Sequence, residues 1–261
     1  MLFQWWRNRR RSHLAREPFP AAWLSIIQVN CRHFATLTTA EQARLLQDVR
    51  WFLAEKSIEV SLGLVLTDEM RVTVAAQASL LGLGFTSPPF DRLRSVILQP
   101  EVFLGDNVVR DSSGLELHSQ DARIGQAARN GPVVLSWSDV VRQCRDEPDG
   151  RNVILHEFAH LLDMVDGDVD GVPPMDTEQE FRTWQDVTRI EYRRLVNQAQ
   201  LGRRTLLDEY GATSEVEFFA VATETFFEQP VEMRTLHPRL YDVLRAFYKQ
   251  DPAIRWLRFA G

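Results

Sequence analysis

The sequence predicts a fold in which helices are mixed with a few short strands, and three patterns support this prediction. A capping box formed by Thr38 and Glu41 begins an amphipathic helix that ends near Lys56. The partly alternating, β-branched run 58–66 that follows is typical of a strand. Much of the second half has helical periodicity, including an apolar segment around residue 156. We therefore expect a small mixed sheet that packs against helices.

The other elements are predicted by caps, apolar runs and chain breakers. Strands are expected at 96–98, continuing in Val102 and Phe103, and at 133–137. Helices are expected from Asp68 to Leu83, from Thr177 to Gln200, from Ser214 to Phe227 and after Pro238. Because the chain has no internal repeat or low-complexity linker, we expect one domain over residues 1–261, with 1–20 as an N-terminal arm.

Composition and charge are those of an ordinary soluble globular protein. The net charge of -6 argues against broad binding to nucleic acid, which requires basic surfaces. Two cysteines are too few for a disulfide scaffold, so a reducing cytoplasm is the simplest location. No apolar run is long enough for a membrane span. Trp5 and Trp6 beside an arginine cluster could contact a membrane surface or RNA, but packing on the domain is the favoured interpretation.

The most informative motif is His156-Glu157-Phe158-Ala159-His160, an H-E-x-x-H pattern within the apolar helical segment. Residues four apart lie on one face of a helix, so both imidazoles can reach one metal ion. A catalytic zinc site uses three protein ligands and leaves one position open for water. A carboxylate beside it, here Glu157, can act as the general base. The motif therefore predicts a zinc hydrolase site with His156 and His160 as ligands.

Two residues are candidates for the third ligand. Asp166 lies six residues past the second histidine, where short-spacer zinc peptidases place a ligand, but the glycine that turns the chain in that pattern is replaced by Asp163. Glu217 is a carboxylate within an apolar helical segment and needs a reason to be there. The alternative for Glu217 is a purely local role, because Ser214 and Glu217 fit an S-x-x-E capping box.

The motif residues up to Met164, the loop Asp170-Gly171-Val172-Pro173 and the segment from Tyr210 to Val221 resemble the Mlc titration factor A family of zinc peptidases over most of the chain. The resemblance implies an α+β, zincin-like (gluzincin-like) domain related to the peptidase domain of anthrax lethal factor. It implies His156, His160 and Glu217 as zinc ligands, Glu157 as general base and Tyr210 as a donor to the oxyanion. It also implies a cytoplasmic aminopeptidase that binds the glucose-regulatory repressor Mlc.

Residues that do not bind the metal themselves, called outer groups here, are expected to orient the ligand histidines by hydrogen bonds to their second ring nitrogens. Asp163, one helical turn past His160, and Glu224, two turns past Glu217, are the candidates. Thermolysin-like enzymes use an acidic residue four past the ligand glutamate, a place that Val221 occupies here.

Two classes of function remain open. The first is a zinc-dependent peptidase whose substrate is a peptide or an unfolded protein segment. Strand 133–137, just before the metal helix, could present a free edge to such a substrate, although an ordinary interior strand is the alternative. The second class is a non-catalytic protein that titrates a repressor and uses its metal for structure or gating.

Overall fold

The computed structural model of the chain describes residues 9–14, 17–61, 63–100 and 131–260. Its longer elements before the metal motif are α1 (Ala21–Asn30), α2 (Thr39–Glu55), β1 (Ser57–Val60), α3 (Asp68–Gly82), β2 (Ser95–Gln99), β3 (Val133–Ser136) and α4 (Trp137–Arg145). They are followed by α5 (Val153–Asp163), α6 (Glu178–Gln200), α7 (Glu215–Glu228), α8 (Pro230–Leu236), α9 (Pro238–Tyr248) and α10 (Pro252–Ala260). Short 3-10 helices lie at Arg32–Thr36 and Glu209–Ala212.

The described strands form a three-stranded sheet in the order β1-β2-β3. Val96 pairs with Ile58 on one side and with Val133 on the other, and all three side chains are buried. Both pairings are parallel, so the mixed pairing that we expected is not found among the described strands. Helices and a small sheet together confirm the coarse α+β class.

Several predicted boundaries shift by a few residues for local reasons. The capping box at Thr38 is present and begins α2 as expected. The strand expected at 58–66 ends at Val60, and Gly63 beyond it has a positive φ of 99°, which a strand does not accommodate. Trp137, expected at the end of a strand, instead begins α4, because the Ser136 hydroxyl caps that helix. Val102 and Phe103 lie outside the described residues.

The motif helix α5 lies at the centre of the fold, where it contacts β3, α3 and α7. Asn152 caps its first turn by accepting a hydrogen bond from the backbone N–H of Leu155 at 3.1 Å. Its apolar side chains Leu155, Phe158 and Leu162 are almost completely buried. Burying three such side chains contributes about 1.5–3 kcal/mol each, so this face of α5 is fixed in the core.

The loop after α5 holds the start of α7 in place. Gly171 has a φ of 78°, and a Cβ built on it would lie 2.3 Å from the carbonyl oxygen of Glu215. Only glycine allows the two backbones to approach this closely. The N–H of Gly171 also donates to Oδ2 of Asp163 at the end of α5. This arrangement fixes the position of the first turn of α7 relative to α5.

Part of the predicted N-terminal arm packs on the domain. Residues 9–14 are helical, and Arg11 donates two hydrogen bonds to Glu55, at 2.6 and 2.7 Å. The Arg11 guanidinium also lies over the ring of Trp51. Trp5 and Trp6 lie outside the described residues. None of the helices in the described ranges combines the length and the apolar character needed to cross a bilayer.

Candidate metal centre

Helices α5 and α7 bring together the two motif histidines and Glu217. Oε2 of Glu217 lies 3.0 Å from Nε2 of His156 and 3.6 Å from Nε2 of His160. The two Nε2 atoms are 3.2 Å apart. These three residues form a group that could hold a metal ion.

Glu217 combines a helix-capping contact of its backbone with a contact of its side chain to the histidines. Its backbone N–H donates to the hydroxyl of Ser214, as a helix cap requires. Its carboxylate does not complete the capping box among the described hydrogen bonds but faces the histidines. The residue is 1% exposed. Helix capping therefore places the backbone of Glu217, while its carboxylate lies beside His156 and His160.

Asp166, the other candidate for the third ligand, is not brought to the histidines. It is exposed and its Oδ1 accepts a hydrogen bond from the backbone N–H of Asp168 at 3.1 Å. The group of possible metal ligands found in the described part of the chain does not include it.

The three side chains fit a tetrahedral metal ion. Zn–N and Zn–O bonds of about 2.0–2.2 Å in a tetrahedron place neighbouring ligand atoms about 3.3 Å apart, close to the distances of 3.0, 3.2 and 3.6 Å found here. Both carboxylate oxygens of Glu217 are buried and have no hydrogen-bond partner of normal geometry among the described residues. Buried carboxylate oxygens without partners are costly, and a cation between the three groups removes that cost.

Electrostatics in the metal-free site favour a positive charge at its centre. Burial disfavours the charged form of His156, but the carboxylates of Glu217 and Glu224 outweigh it and raise the pKa of His156 to about 10. Burial also opposes ionisation of Glu217, but the adjacent His156 and His160 lower its pKa to about 2. At neutral pH the metal-free site therefore holds a proton on His156 beside an ionised Glu217.

This proton predicts a measurable linkage between metal binding and pH. A metal ligand must be a neutral imidazole, so zinc has to displace the proton from His156. Because the raised pKa keeps His156 protonated below about pH 10, we expect release of about one proton per zinc at pH 7 and an apparent affinity that falls about tenfold per unit as the pH is lowered. Calorimetric titration in two buffers of different ionisation enthalpy measures the proton count. Zinc binding without proton release at pH 7 would contradict this assignment.

Glu157 lies on the same helix as the two histidines, at the edge of the group rather than in it. Burial raises the pKa of its carboxyl group, although the nearby His156 and His160 oppose that shift. A carboxylate with a raised pKa holds a proton more readily, which is the property required of a general base.

Tyr210 lies near His156, in the short 3-10 helix Glu209–Ala212. Its ring centroid is 6.0 Å from that of His156, and the residue is 40% exposed. An aromatic side chain with this much exposure is not a core residue. Its position beside a ligand histidine is compatible with a group that contacts a bound substrate.

Of the two outer groups considered, Glu224 contacts a ligand histidine. Its Oε1 lies 2.7 Å from Nδ1 of His156, and its Oε2 accepts the backbone N–H of Asn152 at 2.5 Å. Asp163 instead accepts the N–H of Gly171, and Nδ1 of His160 is buried without a hydrogen-bond partner among the described residues.

Sequence reasoning missed Asn152 and Glu228, which lie next to these groups. Nδ2 of Asn152 donates to Oε1 of Glu228 at 2.8 Å. The cap role of Asn152 could have been found, because an asparagine directly precedes an apolar helical run. The role of Glu228 could not, because its partners lie far away in the sequence.

Two cavities near α5 border different faces of this helix. One cavity, of about 600 Å³, borders Leu162 and Trp184. Leu162 lies on the opposite face of α5 from His156 and His160, so this cavity is not the metal cleft. A second cavity of about 440 Å³ borders Leu161 and Met164. Leu161 and Met164 lie about one and two helical turns past Glu157 on nearly the same face, so this cavity borders the face of α5 that carries Glu157.

The geometry of α5 and α7 is that of a metallopeptidase-like protein, with an H-E-x-x-H pair on one helix and the buried carboxylate of Glu217 beside it on a second helix. The chain belongs to the glucose-regulated metallo-peptidase M90 family, whose sequence profile matches residues 3–249. A Synechocystis relative, uncharacterized protein slr2042, is 35% identical over 250 residues that cover 95% of this chain and 91% of the relative.

Mlc titration factor A of Serratia proteamaculans is 30% identical, over 95% of this chain and 94% of its own length. Mlc titration factor A of Escherichia fergusonii is 31% identical, over 89% of this chain and 87% of its own length. These relatives confirm the family resemblance drawn from the sequence.

Proposed function

We propose that the protein is a zinc-dependent peptidase, and the observation that carries this proposal is the convergence of His156, His160 and Glu217. Two neutral nitrogen donors and one carboxylate are the donor set that catalytic zinc sites of peptidases use. The match to a metallo-peptidase family over residues 3–249 supports a metal at this position.

In the proposed mechanism Glu157 is the proton carrier. Zinc, when bound, would supply Lewis acidity that polarises the substrate carbonyl and lowers the pKa of water to about 7. Glu157 takes the proton of the attacking water and delivers it to the leaving amine. Glu224 holds the His156 ring through Nδ1, so that Nε2 keeps its lone pair towards the metal position.

Tyr210 is proposed to stabilise the oxyanion that forms when water attacks the carbonyl. A phenol that donates a hydrogen bond only in the transition state raises kcat more than it lowers KM. We expect Tyr210→Phe to lower kcat by about 10²–10³-fold, the effect of losing one oxyanion donor, with KM and zinc content little changed. Steady-state kinetics together with metal analysis measure this. Loss of zinc, or an effect confined to KM, would contradict the proposed role.

The preferred substrate class in this proposal is the N-terminal residue of a peptide, which is an aminopeptidase activity. A panel of aminoacyl and peptidyl chromogenic substrates tests it against internally quenched peptides that lack a free N-terminus. Turnover of the first group only supports an aminopeptidase. Turnover of the blocked peptides would favour an endopeptidase on the same site.

A second candidate function rests on the name of two relatives, Mlc titration factor A. In this alternative the protein binds a repressor of the Mlc type in the cytoplasm, and the metal serves structure or gating. The two functions are separable, because Glu157→Gln should bind such a repressor as the wild type does. If the variant loses repressor binding together with hydrolysis, the two functions share one surface.

A further inference from the structure

Three buried glutamates of α7 lie along the face that contacts α5. Glu217, Glu224 and Glu228 are spaced by seven and four residues, which places them on one side of the helix. They are 1%, 6% and 6% exposed. Glu217 contacts the ligand histidines and Glu224 contacts His156, but Glu228 contacts neither. A buried carboxylate needs partners, so Glu228 requires its own explanation.

Glu228 is bound to Asn152, the residue that caps the metal helix. Its Oε1 accepts Nδ2 of Asn152 at 2.8 Å, and Asn152 caps α5 with its own Oδ1. Nε2 of His33 lies 3.5 Å from the same carboxylate oxygen. Glu224 accepts the backbone N–H of Asn152. Two glutamates one turn apart on α7, Glu224 and Glu228, therefore bind the backbone and the side chain of the same cap residue.

A second connection from Glu228 reaches the next residue of α5. Nε of Arg32 lies 3.6 Å from Oε2 of Glu228, and Nη2 of Arg32 donates to the carbonyl oxygen of Gln143 at 2.6 Å. The side chain of Gln143 in turn accepts the backbone N–H of Val153 at 2.8 Å. The polar contacts therefore form a closed ring, which we call the cap ring: Glu228, Asn152, Val153, Gln143 and Arg32.

The cap ring acts on the part of α5 that carries the first ligand. His156 is only three residues beyond Val153, so a shift or rotation of the first turn moves its imidazole directly. Metal sites tolerate errors of about 0.2 Å in ligand distances. Negative carboxylates at the N-terminus of α5 are also favoured by the helix dipole. Both the position of the first turn of α5 and the favourable interaction with its dipole depend on the charge of Glu228 being held in place.

We propose that Glu228 is a positioning residue for the metal centre, which acts through Asn152 and Arg32 to fix the first turn of α5 and thereby His156. The inference rests on the proposed metal centre but goes beyond its ligands. It predicts that a residue without any contact to the ligands controls metal affinity.

The test is zinc affinity of Glu228→Gln, measured by competition with a chelator of known affinity. The amide keeps the shape and can still accept from Asn152, but it removes the charge that faces Arg32. We expect zinc affinity to be about 10-fold weaker, the lower end of the effect of groups that bind a ligand directly, because Glu228 acts on His156 only through the first turn of α5. The visible absorption of the Co²⁺-substituted protein should also change, because it reports ligand geometry.

Thr223→Val is the matched control. Thr223 lies on a different face of α7 from the three glutamates, is 0% exposed, and its hydroxyl is 2.8 Å from that of Tyr248. The substitution removes a buried hydrogen bond from the same helix without touching the cap ring. We expect a lower Tm of the metal-free protein but zinc affinity within about twofold of wild type, because losing one buried hydrogen bond destabilises the fold without moving the ligands.

Arg32→Met is the second variant, and it tests the inference if Glu228→Gln does not fold. Because Arg32 is partly exposed, its replacement should destabilise the fold less than replacement of Glu228. It should weaken zinc binding in the same direction. Wild-type zinc affinity and cobalt spectrum in both ring variants would overturn the inference while leaving the proposed function intact. An equal loss in Thr223→Val would also overturn it, since the effect would then be one of general stability. A wild-type protein that binds no zinc would instead overturn the proposed function.

Discussion

Glu157→Gln is expected to lower kcat/KM for peptide hydrolysis by about 10²–10⁴-fold, the contribution of a general acid–base, while one zinc per chain is retained. The amide cannot take a proton from the attacking water or return one to the leaving amine. The group of possible metal ligands, His156, His160 and Glu217, does not include Glu157, so metal binding should survive. Hydrolysis and metal content are measured on the same preparation, and the Tm should be equal to or above that of wild type.

The equal or higher Tm expected for Glu157→Gln has a physical reason. Burial raises the pKa of Glu157, so ionising this carboxyl group costs more free energy in the metal-free fold than in the unfolded chain. A neutral amide of the same shape removes that penalty. Wild-type turnover in Glu157→Gln would contradict its role as the base, and loss of zinc would show that Glu157 belongs to the ligand set.

Glu217→Gln is expected to weaken zinc binding at least about 100-fold, beyond the 10–100-fold effect of groups outside the ligand set. The substitution removes the anionic ligand and leaves two imidazoles for a divalent cation. The neighbouring Glu215 is exposed and begins the same helix, so Glu215→Gln is the matched control for charge and helix propensity. Competition with a chelator measures both variants.

The control should bind zinc as the wild type does. If Glu217→Gln retains wild-type affinity, Glu217 is a capping residue only, and the third ligand must be sought elsewhere. If both variants lose zinc equally, the effect belongs to the charge of the first turn of α7 rather than to coordination.

The local features of the metal helix could be predicted from the sequence because they depend on neighbouring residues. The spacing of His156 and His160 and the apolar residues between them determine a helix with both rings on one face. The cap at Thr38 and the helix it begins follow from the same kind of local rule. These features depend on backbone geometry over a single turn, which the sequence specifies directly.

Features that depend on packing between distant segments were predicted incompletely. The glycine missing at Asp163 disfavours Asp166, but the residues alone leave Glu217 open to a capping role, and it is the family resemblance that implies Glu217 as a ligand. The contact between Glu224 and His156 joins residues 68 positions apart, and that between Asn152 and Glu228 joins residues 76 apart. No local pattern encodes such pairs. The two ring nitrogens of His156 contact Glu217 and Glu224. The group that contacts Nδ1 therefore lies two turns past Glu217 on α7, whereas thermolysin-like enzymes use a residue one turn past the ligand glutamate.

Strand ends were also less predictable than helix ends. The run 58–66 contains enough apolar and β-branched residues to suggest a long strand, but pairing with β2 stops at Val60. The left-handed backbone at Gly63 ends the extended conformation there. Helix ends are marked by capping side chains, whereas a strand ends where its partner ends, which is a tertiary property.

The most direct test of a zinc peptidase is hydrolysis measured across a zinc titration of the purified, chelator-stripped protein, with bound metal determined in each sample. We predict no turnover without metal, a rate that rises in proportion to bound zinc, and a plateau at one zinc per chain. Turnover in the stripped protein, or one tightly bound zinc without turnover of any aminoacyl or peptidyl substrate, would contradict the account, and the second result would favour the repressor-binding function.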